Sequence, residues 1–247
     1  MRKTVLFAVA ALTAGTVLAA LPATSRRSGA SLARGQQAAD AAAGASEASL
    51  KGKVSIERYP RLGSSCLLSA PSLQGGSAIG PCYTKPRQWI VLETKYQTTA
   101  KSVDRLTFTW HVVLDTSKST NKDKEGRAKL APYSYFTQTT TYVNIPQGAH
   151  AASVCLHPSY LEMYGEPVAV TVLVTDSEGT ILAGDTVTTM EKVFKKKKGH
   201  KFWEDDDVMN AKRPNGEPMV EQRQGLMERS KTIWALVNPN DYEMVAQ

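Results

Sequence analysis

The chain has 247 residues and a formal net charge of +7, and 42% of its residues are hydrophobic. This length is enough for one sizeable hydrophobic core after an N-terminal leader. The surplus of positive charge is too small for the electrostatic footprint of a nucleic-acid-binding protein. We therefore expect no nucleic acid among its partners.

The N-terminus has the three parts of a secretory signal peptide. Two basic residues precede an uncharged stretch over 4–21, which closes on small residues. We expect cleavage after Ala19 or Ala20, so that residues 1–20 are removed and no membrane span is left. The alternative is a retained anchor, although the stretch is short for spanning a bilayer. The pattern predicts a secreted protein of the periplasm, outer membrane or cell surface.

Residues 21–52 are dominated by Ala, Ser and Gly and hold few large apolar side chains. Such a segment buries too little surface to offset its chain entropy, so we predict a disordered leader. The folded domain is then expected over 53–194, with a C-terminal extension over 195–247.

Three cysteines occur in the chain, Cys66, Cys82 and Cys155. Outside the cytoplasm they can oxidise. Cys66 and Cys82 flank a stretch rich in Gly, Pro and Ser, and a disulfide between them would contribute about 3 kcal/mol on the chain-entropy model. The sequence leaves open a pairing of Cys155 with either of the others.

Alternating apolar residues predict the strands. Within Val103–Leu114 every second side chain from Leu106 onwards is apolar, which is the period of a strand with one buried face. Pro167–Thr186 alternates similarly around a turn at Asp176–Gly179 and predicts a hairpin, whose strand continues over Thr186–Phe194. Further strands are predicted at Lys53–Tyr59, Gln88–Thr98, Tyr133–Ile145 and Ala149–Leu156.

About eight short strands without intervening helices indicate an all-β fold, an antiparallel immunoglobulin-like β-sandwich. The C-terminal extension differs in composition. It begins with a charged loop over Lys195–Asp207, and Met219–Arg229 is predicted as one short helix. The apolar stretch Thr232–Val237 is expected to lie against the sandwich.

Catalytic and metal-binding patterns are weak. Cys155 and His157 would share a face of a strand, as a thiolate–imidazole pair requires. Neighbouring side chains on one face lie about 6–7 Å apart, however, so a buried or bridged Cys155 is favoured. The four histidines lack metal-ligand spacing, and the acidic run Asp205–Asp207 is expected to be a solvated turn. We predict no catalytic residue, metal or cofactor.

One segment combines cations with aromatic rings and is the candidate ligand surface. A surface of this kind suits an acidic glycan, since it offers positive charge and ring faces. The acidic residues that follow favour the alternative, a loop whose charges neutralise each other. The residues concerned are Lys195, Lys196, Lys197, Lys198, His200, Lys201, Phe202 and Trp203.

The export signal, the Ala/Ser leader, the strand series with PVAVTVLVTDSEGTILAGDT and the tail ERSKTIWALVNPNDYEMV together resemble a known group. These are the secreted Ig-like proteins encoded beside a type IV pilus-like gene cluster in the verrucomicrobial bacterium Akkermansia muciniphila. The resemblance implies a fold related to pilus-associated proteins and a place in the outer envelope. Residues 4–21 lack the glycine and glutamate of a prepilin leader, which argues against a pilin subunit.

The leading functional hypothesis is therefore a non-enzymatic envelope protein that binds a partner protein or a surface glycan, associated with a type IV pilus-like system. An accessory assembly factor of a pilus or secretion apparatus is the first alternative. A cysteine-dependent envelope hydrolase is the second.

Overall fold

The structure is a computed structural model that describes residues 49–70, 87–119, 125, 129–195 and 199–237. Several sequence predictions fall outside these residues: the signal peptide over 1–20, the leader over 21–48, Cys82, Lys196, Lys197 and Lys198. At the end of the predicted leader, Leu50 packs against the inner core. Leu50, within the predicted leader over 21–52, therefore contributes to the folded part.

Eight strands and three short α-helices follow in the described residues. The strands are β1 Val54–Arg58, β2 Leu67–Ser69, β3 Gln88–Asp115, β4 Tyr133–Leu156, β5 Glu166–Thr175, β6 Ile181–Thr188, β7 Val220–Arg223 and β8 Met227–Glu228. The helices are α1 Pro158–Tyr164, α2 Glu191–Phe194 and α3 Asp206–Met209. Short 3₁₀ turns lie at Gly63–Cys66, Thr116–Lys118, Phe202–Glu204, Arg229–Lys231 and Ile233–Leu236.

All eight strands belong to one sheet, in which β6, β5, β3, β4 and β7 are successive neighbours. Strands β1 and β2 pair with β3, and β8 pairs with β4. Every pairing is antiparallel except that of β4 with β7, which is parallel. The predicted all-β class is confirmed, whereas the expectation of a wholly antiparallel arrangement is corrected at β7.

The two longest strands, β3 and β4, bend at the same level. Between the pairs Thr98↔Gly148 and Ser102↔Pro146, three residues of β3 face one residue of β4. Extra residues on one strand bend it and increase its twist. Asn144 and Gly148 on β4 have positive φ values of 56° and 139°, which accommodate the bend on the other strand.

The bend folds the sheet onto itself and so produces two layers. Tyr96 and Phe108 lie twelve positions apart on β3, roughly 40 Å along a straight strand. Their ring centroids are nevertheless 4.9 Å apart. The inner faces of both halves meet in one core, as a sandwich requires. The predicted inward residues of β3 have no exposed surface: Leu106, Phe108, Trp110, Val112 and Leu114.

The C-terminal extension covers the outer faces of both layers. Phe202 and Val208 pack with Phe194 of α2 on Tyr135 and Val168 of one layer. Trp234 packs on Trp89, Val91 and Cys155 of the other. Within the predicted stretch 232–237, Trp234 lies against this layer.

The predicted helix over Met219–Arg229 is wrong. This segment forms β7 and β8, which pair with the two ends of β4. The predicted continuation of the hairpin strand over Thr186–Phe194 is also shorter than expected, because β6 ends at Thr188 and α2 follows. Among the described residues, no helix has the length and apolar character needed to cross a membrane.

Candidate functional site

The aromatic residues of the predicted ligand surface point towards the protein. Phe202 has no exposed surface, and its ring meets that of Phe194 edge to face at 5.4 Å. Trp203 stacks on His111 of β3, with ring centroids 3.8 Å apart and nearly parallel planes. The two rings therefore fasten this segment to the sheet, and Phe202 is not available to a ligand.

His111 is the centre of this attachment. Its Nδ1 lies 2.7 Å from the hydroxyl of Tyr135 on β4, and the residue is only 7% exposed. Burial lowers the pKa of His111 to about 4; Glu204 opposes this change and Lys201 adds to it. The ring is consequently neutral at ordinary pH, as stacking in an apolar contact requires.

The described basic side chains of the segment each lie beside a carboxylate. Lys195 Nζ is 3.4 Å from Asp185, and Lys201 Nζ is 2.9 Å from Glu204. His200 Nε2 lies 3.3 Å from Asp205 Oδ2. These contacts weaken any attraction for an anionic ligand, in line with the neutralised-loop alternative.

The acidic run has a local structural role. The side chain of Asp205 accepts a hydrogen bond from the backbone N–H of Asp207 and caps α3. A carboxylate at this position satisfies an otherwise unpaired amide. In the described part of the chain, three or more His, Cys, Asp or Glu side chains are nowhere grouped closely enough to hold a metal ion.

The side chains of Cys155 and His157 contact different residues. Cys155 is fully buried, with the Thr232 hydroxyl 4.0 Å from its Sγ. His157 contacts the Trp89 ring edge to face at 5.1 Å, and its Nδ1 lies 3.0 Å from the Ser159 hydroxyl. Burial raises the pKa of the Cys155 thiol to about 12, so the thiolate needed for nucleophilic attack is not populated.

Cys66 is the second described cysteine, and it has no disulfide to another described residue. It is buried, its Sγ donates to the Gly63 carbonyl at 3.0 Å, and burial raises its pKa to about 12. Cys66 and Cys155 are therefore not bonded to each other. Because Cys82 lies outside the described residues, its pairing with Cys66 stays a prediction.

A group of exposed apolar side chains was not predicted from the sequence. Leu68 on β2 is 45% exposed and lies opposite Trp89 in the register of β2 and β3. Ile233 and Leu236 are 48% and 89% exposed and flank Trp234, which packs on Trp89. We call Leu68, Ile233 and Leu236 the Trp234 patch.

One sequence signal could have revealed this patch. Residues 233–236 are apolar without interruption, and a short 3₁₀ turn points such residues in several directions. Only part of the run can face the sheet, so the remaining side chains reach solvent. Exposed apolar residues that cluster in this way are typical of interaction surfaces.

The comparisons with known proteins bear on the fold and the family. A crystal structure of a protein from Akkermansia muciniphila matches with a TM-score of 0.52 and 18% identity, over 78% of this chain and 94% of that one. At this identity the match shows a shared fold. The comparison with curated proteins finds no match to this chain.

A family model matches residues 67–246, well over half of the chain. The matched range includes β2, the long strands, the hairpin and the Trp234 patch. The family is pilus-related, in agreement with the resemblance found in the sequence. The chain therefore belongs to this pilus-related family.

Proposed function

We propose that this chain is a non-enzymatic protein of the bacterial envelope or cell surface that binds a protein partner through the Trp234 patch and acts in a type IV pilus-like system. The observation that carries the proposal is the patch itself. Leu236 and Ile233 are 89% and 48% exposed on either side of Trp234, and Leu68, 45% exposed, lies opposite Trp89, which packs with Trp234. Membership of a pilus-related family supports the choice of system.

A protein partner is favoured over an acidic glycan. The described lysines of the charged segment are paired with Asp185 and Glu204, and Phe202 is buried. Apolar side chains next to a buried tryptophan instead match the core of a protein–protein contact. The burial of Cys155 and the rise in its pKa support a non-enzymatic role.

The proposal is tested by photo-crosslinking in cells that make the protein. A photoreactive amino acid at position 236 is expected to give a discrete crosslinked species with an envelope protein. Ile181 is the matched control, because it is an apolar residue 49% exposed on β6, outside the patch.

The contact should depend on the apolar side chains. Ile233→Asp in the crosslinking variant should abolish the species, because a charge would be placed in an apolar contact. The control substitution Ile181→Asp should leave it intact. A product that forms equally well from position 181, or that survives Ile233→Asp, would contradict the proposal.

A further inference from the structure

We propose that the partner at the Trp234 patch is a second copy of this chain, paired antiparallel through β2 about a two-fold axis beside Ser69. This inference rests on the proposed function, since it uses the same patch. It adds the identity of the partner and the geometry of the contact.

Among the described residues, no strand pairs with the outer edge of β2. The N–H of Ala70 donates to the carbonyl of Arg87 at 2.9 Å, next to the pair Ser69↔Gln88. Backbone groups alternate in direction along an antiparallel strand. The N–H and C=O of Ser69 therefore point away from β3, and neither has a partner among the described residues.

The two free groups of Ser69 match those of a second copy. In an antiparallel pair, two opposite residues exchange both of their N–H···O=C bonds. Ser69 placed opposite the Ser69 of another copy satisfies all four groups at once, and this arrangement has two-fold symmetry. A longer foreign strand gains little on the N-terminal side, because the N–H of Leu67 already donates to Ser64.

Side chains carry the second part of the argument. In this register Leu68 lies opposite Ala70 of the other copy, and both residues adjoin the cluster of Trp89 and Trp234. The apolar surfaces of the two copies thus become continuous across the axis. Burial of such surface is what stabilises a symmetric contact.

Charge does not oppose this association. Strand β2 carries no charged residue. Beside it, Arg87 is paired with Glu162 at 3.3 Å, and near the 3₁₀ turn Lys231 is paired with Glu228 at 3.3 Å. These two described charges are therefore already compensated within each copy when two identical patches approach each other.

Sedimentation velocity of the purified protein over about a hundredfold range of concentration tests the inference. We expect a reversible monomer–dimer equilibrium. Ser69→Pro removes the outward N–H but leaves the bonds between β2 and β3 in place, as proline on an edge strand permits. It should weaken the dimer at least about tenfold, a change of about 1.4 kcal/mol.

Two further variants keep the result interpretable. Ser69→Ala retains the backbone groups and should dimerise normally. Ser69→Cys should form a covalent dimer on mild oxidation, because opposite Cα atoms in a hydrogen-bonded pair lie about 5.5 Å apart, within disulfide range. Ile181→Cys, exposed on β6, should give no such product, and the unmodified protein shows the background from native cysteines.

The outcomes separate this inference from the proposed function. The two-fold pairing is overturned if the protein stays monomeric. It is also overturned if Ser69→Pro leaves the dimer's stability unchanged and Ser69→Cys gives no covalent dimer. If position 236 then still crosslinks to a different envelope protein, the proposed function stands alone. If neither self-association nor any crosslink depends on the patch, both are wrong.

Discussion

His111 lies on the outer face of β3 and is covered by Trp203, away from water. Its pKa is lowered from 6.5 to about 4, mainly by burial. As the pH falls below about 6.5, the unfolded chain binds a proton that the folded chain does not bind until pH about 4. The contribution of the neutral, buried His111 to the free energy of unfolding is therefore complete above pH 6.5 and is lost as the pH falls towards 4.

We expect His111→Gln to flatten this pH dependence. Over this pH range the free energy of unfolding should fall by up to about 3 kcal/mol more in the wild type than in the variant, because one pKa unit corresponds to 1.36 kcal/mol. Urea denaturation at a series of pH values measures both slopes. The control Tyr135→Phe removes the hydrogen bond but keeps the buried imidazole, so its free energy of unfolding should depend on pH as in the wild type. Equal pH dependence for His111→Gln and the wild type would refute the prediction.

Gly225 occupies a position that admits no side chain. Its φ is +124°, and an added Cβ would overlap the hydroxyl and ring of Tyr160. Gly225→Ala is expected to lower the free energy of unfolding by about 1–3 kcal/mol, measured by urea denaturation. Gly216 is the control, since its φ is +85° but the space around it is open. Gly216→Ala should lose only about 1 kcal/mol.

The overlap itself can be tested by a second substitution. Tyr160→Phe removes the hydroxyl that an alanine at position 225 would meet, so it should recover part of the loss caused by Gly225→Ala. If the double variant is no more stable than Gly225→Ala, the hydroxyl of Tyr160 does not contribute to the loss.

At the scale of elements, the 3₁₀ turn Ile233–Leu236 seals one outer face of the sheet. Trp234 is 6% exposed and lies in one cluster with Cys155. Trp234→Ala should lower the free energy of unfolding by about 3–5 kcal/mol, because it leaves a cavity. It should also speed the alkylation of Cys155, followed by mass spectrometry of that peptide.

Leu236→Ala is the matched control, since this side chain is 89% exposed in the same turn. It should change neither the stability nor the alkylation rate of Cys155. An unchanged rate in Trp234→Ala would mean that the tryptophan does not protect the thiol.

The individual strands of this fold can be predicted from the sequence, but the way in which they are connected cannot. The alternation over Val103–Leu114 predicted the buried face of β3, since period two depends only on the local backbone. The gap after Thr98 was interpreted as a boundary between two strands. It is a bulge within β3, because pairing with β4 continues on both sides.

The C-terminal extension was harder to predict for a related reason. Residues 219–229 form two very short strands that exist only because β4 offers them free edges. Similarly, Phe202 lies in a highly charged segment, and its burial depends on the distant contact with Tyr135. Local composition carries no information about such partners, so tertiary context decided both cases.

At the scale of the whole molecule, the layers are halves of one sheet, and the extension is a cover on both outer faces. The sequence predicted an exported, β-rich, pilus-related protein, and the structure and the family agree on the last two points. The candidate site was missed because a side chain's exposure depends on what packs around it. Leu236 and Trp234 lie two positions apart, yet one is exposed and the other buried.

The bend shared by β3 and β4 has a mechanical consequence. Strands β3 and β4 run through both layers, and their pairing extends from Ile90↔Leu156 to Asp115↔Tyr133. A pulling force applied to either layer is carried through that pairing into the other, where many hydrogen bonds are loaded together in shear. A domain built in this way is expected to resist tension as a single body.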